Sequence, residues 1–242
     1  MKIRSLKLNI LNALVVGLLF FAGPAAFADK TNAVHLILLS GQSNMGHMDP
    51  ARVFTPDVEK YFGAENVVVV KVAQSGQPIR RWYKKWNVTG DQNPKQIGDL
   101  YGKLMAQTKT AMQGKSIKTV TFIWMQGESD AKGHLSDHYE EAFLGILEQL
   151  KSDLGVKEIN YVIGRLSDHG LGQKDWDKIR EIQKKLGEAG PHSAWVNTDD
   201  LNDDGKTRDG TPKNNLHYSK EGYDLLAKRY AEKVKELVKE SP

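Results

Sequence analysis

Five short apolar runs rich in β-branched residues constrain this chain most: residues 34–39, 67–72, 120–124, 159–163 and 194–196. Continuous apolar runs of that length fit strands buried on both faces. Between them lie segments with apolar residues at helical spacing: Leu100, Leu104, Thr108 and Met112, then Tyr139, Phe143, Ile146 and Leu150, then Ile179, Ile182 and Leu186. Strand and helix alternate, which predicts an α/β domain with a central parallel sheet and right-handed crossovers. In a closing helix, Ser219 stands where a cap belongs and Leu226, Tyr230, Val234 and Leu237 make one apolar stripe. The stretch 82–96 follows neither period and reads as a long surface loop.

The first 28 residues have the layout of a secretory signal peptide: Lys2, Arg4 and Lys7, an apolar run interrupted by Asn12, then Ala26 and Ala28 before the expected cleavage point. The run is too short for a membrane anchor. Cleavage leaves residues 29–242, a length suited to one domain, in a periplasmic or secreted location. Three of the 34 basic residues leave with the signal, so the remainder carries 31 against 30 acidic residues. That near-neutral balance, without a dense basic patch, argues against nucleic acid as a partner. After cleavage nothing remains that would insert stably in a membrane. With no cysteine the chain has neither disulfide nor thiolate chemistry.

In parallel sheets the functional groups gather at the carboxyl ends of the strands. Four segments would share that rim: Gly41-Gln42-Ser43-Asn44, Gln74-Ser75-Gly76-Gln77, Gln126-Gly127-Glu128-Ser129-Asp130, and Asn214-Asn215-Leu216-His217. Together they offer what acyl transfer needs. Ser43 supplies a hydroxyl and His217 an imidazole, while backbone N–H groups of Ser43 and Gly76 with the Gln126 amide could receive an oxyanion. Taken singly, each segment is ordinary turn or cap chemistry.

The blocks LILLSGQSNMGH, VAQSGQPIRRW, FIWMQGESDA and LHYSKEGYDLLAKRYAE, spread from Leu36 to Ala231, resemble those of the SGNH-type hydrolases. The likeness is strongest to the branch of sialate O-acetylesterases and family 6 carbohydrate esterases, which includes acetylxylan esterases. It implies a flavodoxin-like three-layer α/β/α fold and a serine esterase, which with the signal-like segment reads as an exported enzyme that removes O-acetyl groups from a carbohydrate. It also implies Ser43 as nucleophile, His217 as base, an oxyanion hole of Ser43, Gly76 and Gln126, and no metal or organic cofactor.

One position departs from the family pattern. Superfamily members commonly carry Asp three residues before the catalytic His, where this chain has Asn214. An amide cannot stabilise an imidazolium by charge. The resemblance offers Glu128 as the acid partner, and Asp209 is the alternative. The same departure raises a second function, a catalytically impaired carbohydrate-binding module, beside a third, an esterase acting on lipid or peptidoglycan. For substrate, Trp82 could stack on a sugar face, and Arg80 and Arg81 could pair with its carboxylate. Asp200, Asn202, Asp204 and Gly205 match half of a calcium loop, but Thr211 stands where its bidentate glutamate belongs. His134 and His138 lack the glutamate of a zinc motif and read as surface residues.

Overall fold

The computed structural model describes residues 32–89, 91, 96–206 and 212–240. The signal-like segment 1–28 and Asp209 lie outside the described residues. The strands are β1 (Ala33–Gly41), β2 (Val67–Ala73), β3 (Ser116–Met125), β4 (Asn160–Gly164) and β5 (Ser193–Val196), each containing or overlapping one of the apolar runs. They pair in parallel in the order β2-β1-β3-β4-β5. That is the flavodoxin-like order, whose switch point lies between β1 and β3.

The helices are α1 (Ser43–His47), α2 (Phe54–Phe62), α3 (Asp99–Ala111), α4 (Glu128–Lys132), α5 (Tyr139–Leu154), α6 (Lys174–Gly187) and α7 (Lys220–Glu240). Alternate residues of β1 feed two cores, as a strand buried on both faces must. Leu36 and Leu38 join the core under α3, α5 and α6, whereas Ile37 and Leu39 join the one under α2 and α7. The predicted cap is made, since Gly222 N–H donates to Ser219 Oγ at 3.0 Å. A short antiparallel pair, β6 (Asp203–Lys206) and β7 (Pro212–Asn214), stands apart from the sheet. Its strands are polar, so no apolar run foretold them.

The segment after β2 differs from the expected surface loop. Trp82 is fully buried and Trp86 nearly so, both within the α3/α5/α6 core. The Trp82 indole N–H donates to Ser40 Oγ at 2.8 Å, and Ser40 Oγ donates to Val72 O at 2.6 Å. Two aromatic anchors thereby tie this segment to the sheet despite its polar sequence.

Candidate active site

Chain geometry at the switch point sets Ser43 in place. Gly41 ends β1 at φ +145°, in the region that favours glycine, and a Cβ there would overlap the Met125 carbonyl. The next N–H, of Gln42, donates to Met125 O at 2.9 Å, so the strand turns over the end of β3 into α1. Ser43 opens that helix and lines a cleft of about 690 Å³ together with Gly76, Glu128, Lys132 and His217. At the other end of α1 the Lys71 ammonium donates to Gly46 O at 2.8 Å and Met48 O at 2.5 Å. Burial lowers the pKa of this lysine. These bonds satisfy carbonyls that a five-residue helix leaves unpaired.

His217 arrives on the loop before α7, with Nε2 2.9 Å from Ser43 Oγ. That is hydrogen-bond reach for a base and its nucleophile. Burial holds the His217 pKa below its ordinary value, and the nearby positive charge of His47, Lys132 and His169 adds to the effect. The ring packs edge-on against His47, with centroids 4.9 Å apart. A neutral imidazole facing a serine hydroxyl can accept its proton.

The remaining candidates separate into those the fold brings to the cleft and those it does not. Gly76 lines the cleft in a left-handed conformation, φ +69°. Gln126 is completely buried, and its amide N–H₂ faces Gln77 O at 3.0 Å and the Asp130 carboxylate. In this arrangement the amide N–H₂ is engaged with the Gly76 segment and Asp130 rather than aimed into the cleft. Gln42, which sequence reasoning passed over, lines the cleft instead. Its Oε1 accepts from Ser129 N–H at 3.3 Å and faces Gln126 Nε2 at 3.4 Å, and its own N–H₂ bonds no other group among the described residues.

Glu128 is buried at the cleft and does not bond His217. Its Oε1 accepts from Asn44 Nδ2 at 3.0 Å, and its Oε2 has no partner among the described residues. Burial pushes its pKa up, against hydrogen bonds from its own N–H and from Asn44. A direct bond from Glu128 to the imidazole is therefore absent from this geometry. The Asn214 side chain also turns elsewhere, accepting from Asn202 Nδ2 at 2.7 Å.

Among the three substrate candidates, only Arg80 lines the cleft, and Asp91 holds it at 3.0 Å. Arg81 is buried, with Asp99 gripping its guanidinium twice at 2.6 Å and Gln77 bonding it at 2.5 Å. Neither Arg81 nor Trp82 lines the cleft: Asp99 and Gln77 hold the arginine, and Trp82 is packed in the core. In the calcium-like loop, Asp200 pairs with Arg229 at 2.6 Å and Asn202 donates to Asp168 and Asn214. No group of three or more His, Cys, Asp or Glu residues is placed to hold a metal among the described residues.

A parallel sheet of flavodoxin-like order, with a serine at its switch point and a histidine from the loop before the last helix, defines a hydrolase of the SGNH class. The family described as "Carbohydrate esterase, sialic acid-specific acetylesterase" matches residues 45–236, and the chain belongs to that family. It is a carboxylic ester hydrolase of the carbohydrate esterase type. A protein from Arabidopsis thaliana shares the fold at TM-score 0.61 and 18% identity, with 85% of this chain and 99% of that one covered. A carbohydrate acetylesterase from Xanthomonas citri does so at TM-score 0.59 and 17% identity, covering 86% and 57%. A third, a G-D-S-L family protein from Desulfitobacterium hafniense, gives TM-score 0.52 at 13% identity over 83% and 99%. Among curated proteins none matches the sequence.

Proposed function

We propose that this esterase removes O-acetyl groups from an acetylated polysaccharide or sialic acid through an acyl-enzyme on Ser43, and that it works outside the cytoplasm. The observation that carries the chemistry is the 2.9 Å approach of His217 Nε2 to Ser43 Oγ in the cleft. Ser43 Oγ attacks the acetyl carbonyl carbon while Nε2 takes the hydroxyl proton. The oxyanion is received by the N–H groups of Ser43 and Gly76, with the Gln42 amide as third donor. Collapse breaks the bond to the sugar oxygen, which leaves with the proton from Nε2. Water, deprotonated by the same imidazole, then releases acetate and restores Ser43.

The carbohydrate class follows from the family, and the export from residues 1–28. The cleft supports a polar ligand, being lined by Arg80 and Lys132. Lys132 forms no ion pair among the described residues, so its charge is available to an acidic sugar. The binding-only alternative rests on Asn214 at the usual acid position, and its side chain accepts from Asn202 and gives His217 no partner.

The test is hydrolysis of a chromogenic acetate ester by wild type and Ser43→Ala, followed by acetate release from O-acetylated sialic acid, acetylated xylan and peptidoglycan. Ser43→Ala should fall to background, and equal rates for the two proteins would overturn the esterase mechanism. Release from peptidoglycan alone would move the substrate to the cell wall.

A further inference from the structure

We propose that Asn44 and Tyr223 form a positioning pair that clamps the backbone on both sides of His217 and so sets its distance to Ser43. The proposal rests on the serine-esterase reading above. Asn44 follows Ser43 in α1 and is buried. Both protons of its amide are used, one donated to Glu128 Oε1 at 3.0 Å and one to Leu216 O at 3.1 Å. Its Oδ1 accepts from the Tyr223 hydroxyl at 2.9 Å. That hydroxyl in turn accepts from Tyr218 N–H at 3.3 Å.

Leu216 and Tyr218 are the two neighbours of His217 in the chain. The peptide groups on either side of the base therefore end on one amide–phenol pair, and that pair begins at the residue beside the nucleophile. Tyr223 is itself held on the first turn of α7, which Ser219 caps. Glu128 enters as the anchor that keeps the Asn44 amide turned toward Leu216.

The proton count extends the clamp to His47. The single Tyr223 hydroxyl proton goes to Asn44 Oδ1, so the 3.1 Å contact between Tyr223 OH and His47 Nδ1 has the imidazole as donor. His47 is then fixed by that bond while its ring backs His217 edge-on. A bland stability role for Asn44 would not place its partners on both sides of the base. Misplacing a catalytic group by about 1 Å can cost on the order of 10²-fold in rate, so the clamp should act on turnover.

The test uses the full chain as wild type, Tyr223→Phe, Asn44→Ala and the double variant. Diisopropyl fluorophosphate labelling reports the activation of Ser43 without needing the sugar, and a chromogenic acetate ester gives kcat and KM. Circular dichroism and melting verify the fold. Tyr223→Phe and Asn44→Ala should each lose about 10- to 100-fold in labelling rate and kcat with KM within about twofold. The double variant should be no worse than Asn44→Ala, since both act through one clamp. Should Asn44→Ala fail to fold, Tyr223→Phe decides alone, because it removes one oxygen and keeps the ring. Variants labelled at the wild-type rate, or a loss confined to KM, would overturn the clamp. A wild type that is not labelled at all overturns the esterase reading and the clamp with it.

Discussion

Glu128 and His217 line the same cleft, yet the carboxylate gives its hydrogen bond to Asn44 and neither oxygen bonds the imidazole. Losing the carboxylate of a Ser-His-Asp triad costs about 10⁴ in turnover. Glu128→Gln should instead stay within about tenfold of wild type, because an amide oxygen can still accept from Asn44. Esterase rates of the two proteins make the comparison. Asp209→Asn is the companion measurement, and a loss near 10⁴ in that variant would assign the acid role to Asp209.

If His217 is the base of the proposed mechanism, the pH dependence of the esterase follows from its titration. Only the neutral imidazole can take the Ser43 proton, so the rate rises with pH as His217 loses its own. Burial and neighbouring positive charge hold its pKa below the ordinary 6.5, and the rising limb of kcat/KM should have its midpoint below pH 6.5. Lys132→Ala removes one of those charges and should move the limb to higher pH. A wild-type midpoint above 6.5, or a limb unmoved by the substitution, would contradict this assignment.

Asp130 should leave its mark on stability. Its carboxyl is buried beneath the Gly76 segment, accepts from Ile79 N–H at 3.0 Å and 3.2 Å, and has its pKa pushed up to about 7 by burial. Its value on unfolding returns toward 3.8. The folded form therefore binds this proton more tightly. The associated stability is full below about pH 4 and is lost as pH rises toward 7. Asp130→Asn stays neutral throughout, and its amide oxygen can still accept from Ile79 N–H. Urea unfolding midpoints between pH 4 and 7 should fall less steeply for the variant. Parallel slopes would refute the linkage.

Gly41→Ala should damage folding before chemistry. The new Cβ would overlap the Met125 carbonyl in a backbone conformation that other residues rarely adopt. A cost of about 3 kcal/mol or more lowers the melting temperature of a chain this size by roughly 6 to 12 °C. Differential scanning calorimetry reads it directly, and an unchanged midpoint would mean that β1 can leave β3 by another route.

Much of the architecture was legible because its signals are local. The runs around Leu36, Val68, Phe122, Val162 and Ala194 all became strands, and the stripe from Leu226 to Leu237 became α7. Residues whose roles depend on distant partners were harder to read. Trp82 looked like a sugar platform because no local pattern betrays that Ser40 and Trp124 wait 42 residues or more away. Arg81 looked free until Asp99 was placed beside it. Helix α2 escaped because only Phe54 and Val58 among its nine residues are fully buried, too few for a visible stripe. Gln42 escaped for the opposite reason: it stood beside Ser43 and was absorbed into the motif.

Ser43 and His217 are 174 positions apart, one on the first strand's exit and the other on the approach to the last helix. The five strands of the sheet and Ser43 all precede Leu216, and the imidazole comes with the loop that leads into α7. The core that α7 closes around Leu226 and Tyr230 is what holds that loop against the end of the sheet. In the proposed mechanism the distance between serine and imidazole is thereby a readout of how well the last helix is packed.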